Sequence, residues 1–178
     1  MINALVRLRR DLILPTLPLL GFSLHKLVLI LRTLSPNLGA TQSKLVADTL
    51  PQWVNATDPV SAEESKALAR LLTTLTTKTI IRTHTLPNNE MQKADSLARP
   101  FSKHAAHVLS AYLAALNDPL CVMSLAIRKE LEPGLFALCE TMGEQNRDAL
   151  MVTLNAGEKA VMKGLWRAYE KQRYVGKG

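Results

Sequence analysis

NAGEKAVMKGLWRAYEKQRYVGKG, residues Asn155 to Gly178, reads as a single two-faced helix and sets the fold class of the chain. Asn155 followed by Glu158 fits a capping box, in which each side chain satisfies an orphan backbone donor of the first turn. From there Val161, Leu165 and Ala168 recur at helical spacing, with Met162, Trp166 and Tyr169 widening the apolar face. Such a face buries against neighbouring helices. Lys159, Lys163, Arg167 and Lys171 step four residues at a time, drifting about forty degrees per step around a helix of roughly 3.6 residues per turn. They form a slowly winding cationic stripe that Arg173, Tyr174 and Lys177 carry into a tail containing Gly176 and Gly178.

Working outward, the rest of the chain has the same helical grain. Hydrophobic residues make up 47% of the 178 residues and charged residues 21%, enough for one sizeable core. Only 4% are aromatic, which argues against a β-sandwich or barrel. Ser61 with Glu64 marks another capping box, and Leu68, Leu71, Leu72 and Leu75 continue its helix toward Ile81 through a Thr-rich middle. Pro100 opens a helix to Leu116 with Phe101, Ala105, Val108, Leu109, Tyr112 and Leu113 on its inner face. Asp118 and Pro119 read as the start of the next helix, through Leu131. Glu132, Pro133 and Gly134 read as its interruption, with fresh helices over Pro133–Met142 and Asn146–Thr153. Short connections favour antiparallel neighbours. The expectation is all-α: stacked antiparallel helical hairpins like the end of an α-solenoid, forming one domain over 1–178 with 61–178 as its core.

The first sixty residues are N-terminal helices and loop. Arg7, Arg9 and Arg10 precede an apolar run that superficially suggests a secretory signal, but Asp11, Pro15 and Pro18 interrupt it and no small-residue cleavage site follows. The run is also too short and too broken by proline to span a membrane. Two helices are expected instead, Ile2 to Leu14 and Leu17 to Leu34, jointed at Pro15. Ser35 to Pro59 reads as loop around one short helix, Gln42 to Leu50. A second loop covers Thr83 to Ala94.

Little here suggests chemistry. His104 and His107 lie three apart and Cys121 follows, but no CxxC or HExxH pattern completes a zinc set. Cys121 and Cys139 sit in apolar contexts, as buried thiols of a reducing compartment do. No phosphate-cradling glycine loop or serine elbow is present, and Glu130 and Glu132 point to different sides of a helix. The expectation is a non-enzymatic chain without metal, cofactor or small-molecule substrate. With 22 basic against 15 acidic residues, the charge of +7 favours an anionic partner. The stripe of Lys159, Lys163, Arg167, Lys171, Arg173, Tyr174 and Lys177 is either a solvated helix face or a contact for RNA or a partner. Trp166 and Tyr169 are either core or anchors for a partner protein.

Several spaced blocks carry a family resemblance: LNAGEKAVMKGLWRAYEKQRYVGKG from Leu154, RPFSKHAAHVLSAYL from Arg99, RKELEPGLFALCETM from Arg128, NRDALM from Asn146 and, less distinctly, LLTTLTTKTIIRT from Leu71. Together they resemble the carboxyl end of the Urb/Npa family of nucleolar pre-ribosome-associated proteins, of the unhealthy ribosome biogenesis protein two type. Members are usually far longer chains carrying this region at their end. The resemblance implies an assembly factor for the early large-subunit precursor and for pre-rRNA processing in the nucleolus. Its implied partners are the pre-ribosomal particle, a sister Urb/Npa factor, a DEAD-box RNA helicase and pre-rRNA itself. From composition alone the alternative is a basic helical nucleic-acid-binding module unrelated to ribosome assembly. Membrane-surface attachment through Arg7–Phe22 is weaker, because two prolines so close together spoil an amphipathic surface helix.

Overall fold

A computed structural model describes residues 2–49, 60–77 and 97–175. The expected loop at Thr83–Ala94, the approach to Ile81 and Lys177 lie outside them. The described chain is all-α apart from one two-stranded bridge: α1 (Ile2–Leu8), α2 (Arg10–Ile13), a 3₁₀ turn over Leu14–Thr16, α3 (Leu17–Leu29), β1 (Thr33–Leu34), α4 (Ala40–Thr49), α5 (Ala62–Thr76), α6 (Ala98–Asn117), β2 (Cys121–Val122), α7 (Leu125–Thr153) and α8 (Ala156–Val175).

Two of these starts follow directly from local chemistry. Ser61 N–H donates to Glu64 at 2.9 Å while the Ser61 hydroxyl accepts from the first turn of α5, forming a capping box. At α8, Asn155 N–H donates to Glu158 Oε2 at 3.0 Å and Glu158 N–H to Asn155 Oδ1 at 2.9 Å. The Thr-rich part of α5 stays helical because Thr73, Thr74 and Thr76 donate their hydroxyls to the carbonyls of Ala69, Arg70 and Leu72. Such bonds hold a β-branched polar side chain on the helix instead of letting it compete with it.

Four expected boundaries shift, each for a physical reason. The helix expected to start at Asp118–Pro119 begins at Leu125, with the Ser124 hydroxyl accepting from Ile127 N–H. The intervening residues pair with the segment after α3, Thr33 opposite Val122 and Leu34 opposite Cys121. That same pairing ends α3 at Leu29 instead of Leu34. Arg32 and Asp118, 2.5 Å apart, tie the two segments together. Pro133 and Gly134 do not interrupt α7. Pro133 lies on the exposed face, where water can satisfy the carbonyl its ring leaves without a donor, and the bend comes at Gly143 (φ 70°, ψ 177°), in the gap expected between the Pro133–Met142 and Asn146–Thr153 helices. The joint expected at Pro15 is a 3₁₀ turn and α3 starts at Leu17 as expected, but the first helix breaks earlier, after Leu8, and neither proline ends the helical run. Pro15 occupies the 3₁₀ turn and Pro18 the first turn of α3, positions where the missing N–H costs little. Arg10–Leu29 is consequently one helical run long and apolar enough to cross a membrane by length and composition. Its inner residues, Leu17, Gly21, Leu24 and Val28, are buried, while Leu12, Leu19 and Phe22 face outward.

α3 runs parallel to α6 and α5 parallel to the first arm of α7, whereas helices joined by short returns run antiparallel. α3 and α6 run together, Gly21 against His104 and the His25 ring stacked on His107 at 4.2 Å. α5 runs with the first arm of α7: Ser65, fully buried, donates to the Ile127 carbonyl at 2.9 Å, and two turns later Gly134 meets Ala69. α6 and that first arm are antiparallel, joined by the short return through β2. Past Gly143 the second arm of α7 turns back beside α8, and Asn117 at the end of α6 bonds Asn155 at the start of α8. Hairpins stack on hairpins around α6. Phe101, Val108, Leu109 and Leu113 of α6 and Leu72, Leu75, Leu131 and Leu138 around it are fully buried. Burying each such side chain stabilises by about 1.5–3 kcal/mol.

Candidate partner interface on the last helix

α8 is held from beneath by its aromatic face. Trp166 is 7% exposed, its indole N–H donating to Glu170 at 2.8 Å, and the Arg147 guanidinium from the second arm of α7 lies 4.8 Å from its ring centroid. Tyr169, also 7% exposed, packs edge-on to Trp166 and tilts against Phe136. Its hydroxyl donates to Glu140 of the first arm. Burial, reinforced by that carboxylate, pushes the phenol up to about 12, so it stays a neutral donor. Met162 and Leu165 complete the seat.

With that face fixed, the opposite face follows from the helical pitch. Lys163, Arg167 and Lys171 are exposed, and Lys159 is half-buried at the first turn. Among the described residues none of these four is in an ion pair. Arg173 is exposed with its Nε 4.0 Å from Glu140, and Tyr174 is 72% exposed. Lys163, Arg167 and Lys171 therefore share one exposed edge, while Arg173 lies toward Glu140 of α7 and Trp166 and Tyr169 serve as packing. Reading α8 alone missed Arg147. It comes from the second arm of α7, where it pairs with Asp148 at 2.7 Å, and lines with Lys163, Arg167, Asp148 and Glu170 a groove of about 390 Å³. Its only signal was its place in the block NRDALM.

The histidines fall elsewhere. His107 stacks on His25, whose Nδ1 lies 2.8 Å from the His107 carbonyl, and His104 packs against Gly21. Cys121 sits in the strand bridge, buried. Among the described residues no group of three or more His, Cys, Asp or Glu is arranged to hold a metal ion.

The profile of the Urb2/Npa2 family matches residues 1–177, nearly the whole chain. The chain belongs to the Urb2/Npa2 family. That places it in ribosome biogenesis, and the match extends through the N-terminal helices, well beyond the blocks that carried the resemblance. No curated protein and no solved structure matches the chain. For this Urb2/Npa2 member the functional geometry is thus read from its own residues.

Proposed function

We propose that this chain is a helical scaffold that docks on the early large-subunit precursor in the nucleolus and supports pre-rRNA processing, with the basic edge of α8 as its contact. The observation that carries the reading is a row of exposed cations, Lys163, Arg167 and Lys171, without ion pairs among the described residues, on a helix whose other face is packed rigid. In sequence Lys159, Tyr174 and Lys177 extend it, with Arg147, paired to Asp148 at 2.7 Å, and Arg173, beside Glu140, at its margin. A pre-ribosomal particle is a dense polyanion, and such a row suits its phosphates and the acidic faces of its proteins. The Urb/Npa background supplies the rest of the reading: a sister Urb/Npa factor and a DEAD-box RNA helicase as companions, and the whole of 1–178 acting as one body. Trp166 and Tyr169 support the edge from beneath, and anchor a partner only where their rims reach the surface.

The test is sedimentation of the tagged chain through a gradient of cell extract, wild type beside K163E/R167E/K171E. Co-migration with large pre-ribosomal particles, lost on charge reversal, is the expected result. Equal co-migration of the triple variant would remove the α8 edge from the account. Loss of wild-type co-migration with retained binding to naked RNA would favour a nucleic-acid-binding module outside ribosome assembly. Raising the salt separates phosphate contacts, which weaken steeply, from apolar docking, which persists.

A further inference from the structure

We propose that the groove between α1, α5 and the first arm of α7 binds the phosphate backbone of single-stranded RNA, as a second contact separate from the α8 edge. Arg7 near the end of α1 faces Lys66 and Arg70, one turn apart on α5, across a cleft of about 830 Å³. That lies within the roughly 300–1,000 Å³ of ligand-sized pockets. Glu130 is the one carboxylate lining it. Arg7 and Arg70 make no ion pair among the described residues, and Lys66 has only Glu63 at 4.0 Å, itself mostly in solvent. Like charges brought together from two helices repel one another, and an anion seated between them relieves the repulsion.

Phosphodiester suits this lining better than the carboxylates of an acidic peptide. Two guanidiniums offer planar, forked donors that match phosphate or carboxylate oxygens pairwise and keep their charge at any physiological pH, so the apolar wall beside them makes the choice. Leu8, 79% exposed, and Pro133 add an apolar wall on which the face of an unpaired base can rest. A duplex, a rigid rod with its bases turned inward, can use neither the wall nor the depth of the cleft. The membership of the chain in a ribosome-biogenesis family puts such strands within its reach. With no aromatic ring in the lining, binding is chiefly electrostatic and tolerant of sequence.

The experiment measures binding of a labelled oligouridylate to the full 178-residue chain carrying K163E/R167E/K171E, so that the α8 edge makes no contribution. Adding Arg7→Ala and Arg70→Ala is expected to weaken binding roughly tenfold near physiological salt and to lower the salt slope by about 0.7 per cation removed. Glu130→Gln, a near-isosteric change that removes only the opposing charge, is expected to tighten binding a few-fold. Ultraviolet crosslinks from 4-thiouridine should map to peptides of α1 and α5. Unchanged affinity on arginine removal overturns the proposal, as does Glu130→Gln binding no tighter or preferential capture of a polyglutamate peptide. If the arginine pair fails to fold by circular dichroism, the Glu130→Gln comparison and the crosslinks decide alone. Because the α8 edge is already reversed, failure here leaves the sedimentation result untouched.

Discussion

At the scale of single residues, two glycines and two buried protons are the most exacting positions. Gly143 holds φ 70° and ψ 177°, a backbone region open essentially to glycine, with room around a would-be Cβ. Gly143→Ala should therefore cost about 1–3 kcal/mol through backbone strain alone. A urea midpoint equal to wild type would contradict the bend. A Cβ at Gly134 would meet the Ala69 Cα at 2.8 Å, backbone that cannot swing aside. Gly134→Ala should cost about 1–3 kcal/mol by prising α5 from α7. Gly157 is different despite a closer approach, 2.0 Å, because there the neighbour is the Asn117 amide, which can rotate away. Burial pushes the Cys139 thiol up to about 12, and the Tyr169 phenol reaches about the same value. In the unfolded chain these groups ionise near about 8.5 and about 10. Between those values and about 12 the folded chain holds more protons than the unfolded one, so stability is full below about pH 8.5 and falls as pH rises toward 12. Urea midpoints measured at neutral and alkaline pH should decline accordingly, and less so in Cys139→Ala. A midpoint flat to about pH 11 would mean neither group is seated as described.

At the scale of elements, the α5–α7 pair is the strongest seam. Leu72 and Leu75 are fully exposed to core and shielded from water, and Ser65 donates its buried proton to the Ile127 carbonyl. Leu72→Ala should cost about 2–5 kcal/mol. Ser65→Ala, which strands one acceptor, should cost about 1 kcal/mol, and additive losses in the double variant would show that the two act independently. The elements legible in the sequence are those whose signals are local. Ser61 with Glu64 and Asn155 with Glu158 announce their helices because each cap is closed within its own first turn. The Phe101–Leu113 face shows α6 because its period is written in adjacent turns. The errors came where distant segments decide. Thr33–Leu34 and Cys121–Val122 give up helix because they find each other, a pairing that no window around either segment contains. Pro133–Gly134 looked like a stop, yet Gly134 is there to admit α5; the break expected between Met142 and Asn146 is the one that occurs, at Gly143.

At the scale of the whole molecule, the stacked helices leave two charged surfaces on rigid elements: the α8 edge with Arg147, and the α1–α5 cleft. The stripe was visible in the sequence because four-residue spacing alone aligns Lys159, Lys163, Arg167 and Lys171. Arg147 and the cleft were not, since both depend on which helix lies beside which. The central claim is that the α8 edge is where the molecule is held by a pre-ribosomal particle. The most direct measurement places a photo-crosslinker at Lys171 in cells and identifies what it captures. The account predicts pre-rRNA or protein of the large-subunit precursor, diminished when Lys163 and Arg167 are reversed to Glu. Capture of neither, with the crosslinker shown to be folded and expressed at the wild-type level, would contradict it.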